Sequence, residues 1–174
     1  RKHRKIAASP FGKTALFQEE IFGQFAATFR ATVVERLVVL EQHLSTTGQE
    51  SLQIAVEPEI KAIMLEMLAN CFFGAEIAFD RLSKEFAPAV QRVIDHIVRD
   101  TVVHRLGLSV AALARVSKKF SQVQADMAKF DELTNLVLAA RPRGAGLWKQ
   151  FQSDAPDEAL RSNLKVFLAG ALEA

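Results

Sequence analysis

The chain has 174 residues, of which 49% are hydrophobic and 24% are charged, so it can bury one sizeable core and is not a disordered chain. Its 22 Lys and Arg nearly balance its 20 Asp and Glu, and this balance does not by itself indicate nucleic acid or an acidic membrane surface as a partner. The single cysteine, Cys71, excludes an internal disulfide and a multi-cysteine zinc site. No apolar run is long enough for a membrane span, so we expect a cytoplasmic protein, although an upstream membrane anchor stays open.

The spacing of the apolar residues predicts an all-α fold. A long amphipathic helix is predicted over residues 14–44 as a structural spine, followed by a turn at residues 45–48. Alternating apolar residues at 52–56 predict one short strand. A second helix is predicted to begin at Pro58, to bury a wide apolar stripe and to end at Gly74, which suits a left-handed backbone conformation.

Three further helical regions follow. The first is predicted over residues 79–106 with a break or restart at Pro88, and the second over residues 110–140, closed by residues 141–144. The last begins near Pro156, and its apolar stripe is still running at the final residue without a closing signal. We therefore expect residues 1–174 to be a single, incomplete domain.

Spacing alone identifies few residues that could bind a metal or take part in catalysis. His96, Asp100 and His104 share one helix face and could bind a divalent metal, but a solvated polar face explains the spacing equally well and is the reading we favour. Cys71 lies in an apolar stripe and is predicted to be an inert packing residue. The basic cluster at residues 1–4 is too short, and too poor in aromatic residues, to predict nucleic-acid binding.

Three patterns, in this order along the chain, resemble the haem-thiolate monooxygenases of the cytochrome P-450 family. Residues 1–11 (RKHRKIAASPF) are similar to the family's C helix, in which a Trp precedes an Arg by four residues; Arg4 matches that Arg, and the Trp would lie just before the first residue. The resemblance implies that Arg4 pairs with a haem propionate, with His3 as a weaker candidate for the same role. Residues 60–74, ending NCFFG, look like the family's E helix.

The third pattern is the end of the chain, which resembles the first half of the family's central I helix. Its signature of a small residue, Gly, any residue, an acid and Thr falls on Gly170, Ala171, Leu172, Glu173 and Ala174. Ala replaces Gly at position 171, and Ala174 stands where the family usually has the Thr that helps to deliver protons. The resemblance makes Gly170 and Ala171 candidate haem-contacting residues, and Glu173 and Ala174 candidate catalytic positions.

The resemblance implies that the chain is the central segment of a P-450-like protein, from the middle of helix C to the first half of helix I. The predicted helix before the E-like segment would be helix D, and the helices around residues 106–109 would be F and G, whose connection covers the substrate channel in the family. The complete protein would use haem, O₂ and electrons from a ferredoxin or reductase to hydroxylate an apolar small molecule. Its axial cysteine would lie outside this chain, because Cys71 belongs to the E-like segment. The alternative is a non-enzymatic helical module that binds a ligand or a partner protein.

Overall fold

The computed structural model describes residues 19–105, 118–144, 147–148 and 156–173. Helices dominate these residues and they contain no strand, which confirms the all-α prediction. In chain order the elements are α1 (Glu19–Thr47), α2 (Val56–Glu66), π1 (Met67–Phe72), α3 (Phe79–Arg81), π2 (Leu82–Phe86), α4 (Ala87–Arg105), α5 (Lys118–Ala139), a 3₁₀ turn (Arg141–Arg143) and α6 (Asp157–Glu173).

The predicted strand at residues 52–56 is wrong. Residues 51–55 are irregular, and Val56 is instead the first residue of α2. An isolated extended segment has no neighbouring strand with which to pair its backbone groups, so alternation alone does not make a strand. Pro58 lies in the first turn of α2, where its missing N–H costs nothing, and two acidic residues of that turn, Glu57 and Glu59, favour a helix start.

Helix α1 continues three residues beyond its predicted end at residue 44. The hydroxyls of Ser45, Thr46 and Thr47 each donate a hydrogen bond to the carbonyl four residues earlier, at 2.7–2.9 Å, and so remain compatible with the helix. Gly48, with φ of 63°, follows the last helical residue. The predicted start of this helix, at residues 14–18, lies outside the described residues.

Gly74 closes the second helical segment as predicted, with φ of 65°. Helix α2 continues without interruption into the π-helical turn π1, whose cap residue Phe73 donates its N–H to the carbonyl of Leu68. The amide of Asn70 then fixes the following loop. Its nitrogen donates to the carbonyl of Ile77 at 2.8 Å, and its oxygen accepts the N–H of the same residue at 3.0 Å.

Pro88 does not break the third helical region, which runs through α3, π2 and α4. A proline ring inside an α-helix clashes with the carbonyl four residues earlier, and here that residue is Lys84, inside the π-helical turn π2. The widened turn accommodates the ring. At the far end of the following helix, α5, the predicted stop is confirmed, because Gly144 has φ of 59° after the 3₁₀ turn.

The core lies where α6 packs against α2, α4 and α5. Arg81 pairs with Glu132, and Arg92 pairs with Asp126. The partners on α5 occur in the opposite order along the sequence, so α5 runs antiparallel to the helical region that includes α4. Phe73 and Trp148 add a tilted aromatic contact with centroids 5.1 Å apart. The largest fully buried side chains are Phe73, Phe86, Leu65, Met67, Leu82, Leu133, Leu147, Leu160, Leu164, Leu168, Leu172 and Val90.

Helix α1 is peripheral, so the predicted role of structural spine is wrong. Among its described side chains only Thr32 is buried, while Leu37 of the predicted apolar stripe is 58% exposed. The helix is attached by the stacking of Phe25 on Phe72, with centroids 5.1 Å apart, and by an ion pair from Arg36 to Glu59 in α2. In the described part of the chain, no helix is both long and apolar enough to cross a lipid bilayer.

Candidate functional site

Helix α6 has one covered face and one open face. Leu160, Leu164 and Leu168 recur at four-residue steps and point into the core, so they hold the helix against its neighbours. On the opposite side Val166 is 68% exposed, and a Cβ added at Gly170 would meet no atom within 4 Å. The C-terminal half of α6 therefore presents an open surface of small and apolar groups.

Glu173 lies at the edge of this open face and belongs to a hydrogen-bond network that joins three helices. Its Oε1 accepts a hydrogen bond from Nε2 of Gln91 in α4 at 3.1 Å. The amide oxygen of Gln91 in turn accepts a hydrogen bond from Nζ of Lys61 at 2.8 Å, and Lys61 also pairs with Glu57 at 2.8 Å. Gln91 therefore connects the acid of the predicted I-helix signature to a lysine of α2.

The carboxylates of this network raise the pKa of Lys61. The hydrogen bond from Lys61 to Glu57 raises the pKa of the lysine, burial opposes this effect, and the charges of Glu57, Glu173 and Asp95 reinforce it. Lys61 therefore stays cationic at neutral pH among three carboxylates. The hydrogen bond from Gln91 can hold the Glu173 carboxylate in one orientation at the edge of the open face.

A groove of about 550 Å³ adjoins this network, between the start of α2 and the end of α6. Its apolar lining includes Ile60, Met64 and Leu172, and Ala171 lies beside them on α6. The polar groups at its edge belong to the same network as Glu173. The structure thus brings Ala171 and Glu173 to one groove, whereas Gly170 belongs to the open face of the helix.

The surroundings of Cys71 disfavour its thiolate form. Burial raises the pKa of its thiol, a hydrogen bond with Thr28 opposes this shift, and the charge of Glu66 adds to it. The sulfur lies 3.9 Å from Sδ of Met67. The predicted packing role fits these surroundings, because they favour the neutral thiol over the thiolate that nucleophilic attack or iron ligation requires.

Glu66 is an ionisable residue at the interface of α1 with α2, and neither composition nor spacing indicated it. Its Oε2 is buried without a hydrogen-bond partner among the described residues. Burial raises the pKa of this carboxyl, as does the charge of Glu35, while the Thr32 hydroxyl and Arg36 lower it. Glu66 is therefore the described carboxyl whose protonation state depends most directly on helix packing.

His96 lines a groove that carries charges of both signs. The groove includes Arg92 and Arg99 of the same helix and also the carboxylates of Asp95 and Asp126. The side chains of Asp100 and His104, its suggested co-ligands, lie outside the described residues, and the described side chains hold no group of three or more metal-ligating residues.

The remaining site predictions concern positions that the structure does not describe. Arg4 and His3, the predicted propionate partners, lie outside the described residues, and so do Ala174 and the connection at residues 106–109. Sequence reasoning missed Gln91 and Lys61. No local pattern marks them, because the hydrogen bond from Gln91 to Glu173 spans 82 residues and only the tertiary packing of α2, α4 and α6 creates the network.

The sequence matches no protein-family model, and no curated protein or solved structure is significantly similar to it.

Proposed function

We propose that this chain is the central helical segment of a haem-dependent monooxygenase of the cytochrome P-450 type. The single observation that carries the proposal is the open face of α6, which holds Val166 and Gly170 while leucines anchor the opposite face in the core. The I-like signature thus coincides with a helix that is rigidly held on one side and uncovered on the other.

The open face suits a flat apolar macrocycle. A glycine with free space above it lets a planar group approach the helix backbone closely, and the neighbouring exposed valine offers an apolar contact. When bound, a haem with a thiolate ligand from elsewhere in the complete protein would supply O₂ activation and oxygen insertion into an apolar small molecule, using electrons from a ferredoxin or reductase.

This chain's own residues would then have four tasks. Gly170 would leave room for the macrocycle, and Ala171 would keep the neighbouring groove uncrowded. Glu173, held by Gln91, would hold or release a proton at the edge of the site. Arg4 would pair with a propionate, as the resemblance implies.

The first experiment is the absorption spectrum of the complete natural protein, reduced and bound to CO. We expect a Soret band at the position typical of thiolate-ligated haem. A complete protein that folds cooperatively and binds no haem would overturn the proposal.

The second experiment tests the open face of α6 with the variant Gly170→Leu in the complete protein. A leucine at this position would occupy the space of the macrocycle, and overpacking of about 1–3 kcal/mol should weaken haem retention by about tenfold. The measurement is the haem-to-protein ratio after gel filtration.

Gly23→Leu is the matched control, because Gly23 is also a helical glycine with no atom within 4 Å of an added Cβ. We expect it to leave the haem content unchanged. Equal haem content in both variants would refute the assignment of Gly170.

The second candidate function, a non-enzymatic interaction module, is supported by a different observation. Val34, Leu37 and Val38 are all exposed on α1, and a surface of this kind often marks a protein interface. If the complete protein binds no haem, Leu37→Ser should reduce binding of a protein partner without loss of fold, as measured by gel filtration and circular dichroism.

A further inference from the structure

A groove of about 280 Å³ lies between α4 and α5, and the proposed haem function does not use it. Helix α4 contributes Arg92, Asp95, His96 and Arg99 to its lining, and α5 contributes Gln122, Val123 and Asp126. The groove is at the small end of the volume range of ligand sites, which suits a small molecule.

The floor of the groove is a neutral, rigid ion pair. Nε of Arg92 donates to Oδ2 of Asp126 at 2.8 Å, and Nη2 donates to Oδ1 at 2.7 Å. Gln122 donates a third hydrogen bond to the same carboxylate at 3.2 Å. Because the Asp126 side chain is only 2% exposed and accepts all three bonds, it is fully committed to its partners.

Two donors of the groove remain uncommitted among the described side chains. His96 and Arg99 follow Arg92 at four- and seven-residue spacing, so all three lie on one face of α4. No described residue forms a hydrogen bond or ion pair with His96 or Arg99. The groove therefore offers unpaired hydrogen-bond donors above a floor whose charge is already compensated.

Asp95 limits the charge that the groove can accept. It lies at one edge, where its Oδ1 accepts a hydrogen bond from Gln91 at 3.2 Å, and it adds one negative charge to the lining. A dianion would be repelled more strongly by Asp95 than a monoanion. The side chain of Val123 and the aliphatic stem of Arg99 provide apolar contact for the body of a ligand.

We propose that this groove binds a small organic monocarboxylate, with Arg99 as the charge-assisted donor, His96 as the second donor and the body of the ligand against Val123. The Arg92–Asp126 pair holds α4 and α5 at the spacing that the ligand requires. None of its residues belongs to the open face of α6, and Asp95 at its edge shares the side-chain amide of Gln91 with Glu173.

The test is a titration of the full chain with benzoate, followed by two-dimensional NMR of the backbone amides. We expect saturable shifts confined to residues 92–99 and 122–126. Arg99→Gln should weaken benzoate binding by about tenfold, and His96→Gln should weaken it by a smaller factor, since a bond to a charged group is the stronger one.

Arg143→Gln is the matched control variant, because Arg143 is an exposed arginine that pairs with Glu76 at 2.6 Å away from the groove. It should bind benzoate as the parent chain does. Benzamide, a neutral molecule of the same shape, should give no saturable shifts.

Three results would overturn the proposal. These are unchanged benzoate affinity in Arg99→Gln, equal binding of benzamide and benzoate, and tighter binding of inorganic phosphate than of benzoate. The haem content of the complete protein does not affect these outcomes, so failure here is distinct from failure of the proposed function.

Discussion

At the residue scale, two carboxyl groups respond to their surroundings in opposite ways. The hydrogen bonds from Arg92 lower the pKa of Asp126, with burial opposing them, whereas burial raises the pKa of Glu66. Asp126 is therefore stabilising when ionised, and Glu66 when protonated. The two residues should give the stability of the fold opposite dependences on pH.

Asp126→Asn should destabilise the fold by about 1–3 kcal/mol at pH 7, because it removes the charge that two donors of Arg92 contact. Since the folded-state pKa of Asp126 is lowered, its contribution is present above the ordinary aspartate pKa and is lost as the pH falls through the folded value. Urea unfolding as a function of pH measures both effects. The exposed pair of Asp80 and Lys84 is the control, and Asp80→Asn should change the free energy of unfolding much less than Asp126→Asn does. Equal losses in the two variants would contradict the special role of Asp126.

Glu66→Gln should have the opposite dependence on pH. The folded-state pKa of Glu66 is raised, so the parent chain loses stability as the pH rises from the ordinary glutamate pKa to the folded value, and the glutamine variant does not. The difference in free energy of unfolding between variant and parent should therefore grow as the pH rises, with the variant the more stable of the two. Glu41→Gln, at an exposed position of α1, should run parallel to the parent chain. A pH-independent difference for Glu66→Gln would show that burial of the charge is not the cause.

At the element scale, the effect of replacing a glycine depends on whether it lies at a helix end or inside a helix. Gly74 has φ of 65° after π1, which a side chain disfavours, whereas Gly170 lies within α6 with free space around it. Gly74→Ala should cost about 1–2 kcal/mol of the free energy of unfolding. Gly170→Ala should add about 0.5–1 kcal/mol in this chain. Thermal unfolding monitored by circular dichroism measures both changes, and a loss of stability in Gly170→Ala would show that the open face is already occupied.

Local sequence signals predicted most of the helices but not their irregularities. Gly48, Gly74 and Gly144 were readable as helix ends because a left-handed backbone has a strong residue preference. The π-helical turns were not readable, since they depend on how the helix packs and not on composition. The strand prediction at residues 52–56 failed because pairing depends on a neighbour that a local pattern cannot reveal.

In the candidate site, too, the features set by local sequence could be predicted and those set by tertiary packing could not. The resemblance selected Gly170 and Glu173 from the order of residues within one helix, and such a pattern is visible in the sequence. The partner of Glu173, Gln91, is 82 residues away and could not be inferred, because nothing in its local sequence distinguishes it from a solvated glutamine.

At the scale of the whole molecule, stability is distributed unevenly. Helix α6 contributes five buried residues, whereas α1 contributes Thr32 alone among its described side chains. We expect α1 to open in a separate, lower-energy step than the core, because few apolar contacts oppose its release. Native-state hydrogen exchange should show lower opening free energies for the middle of α1 than for the middle of α6. Equal protection in the two helices would contradict a peripheral α1.

The π-helical turn π1 is the C-terminal end of the second helical segment and sets the phase at which the following loop leaves the helix. Each residue advances an α-helix by about 100°, so the extra residue of a π turn rotates everything after it by that angle relative to an uninterrupted helix. Ala62 and Leu65 are buried residues of α2, before π1. Asn70 lies within π1 and forms hydrogen bonds with Ile77 in the loop that follows. Deletion of one residue from π1 would restore a regular helix and yet rotate its last residues relative to the buried face of α2. A change that preserves the helix content would thus separate the buried face of α2 from the loop that Gly74 begins.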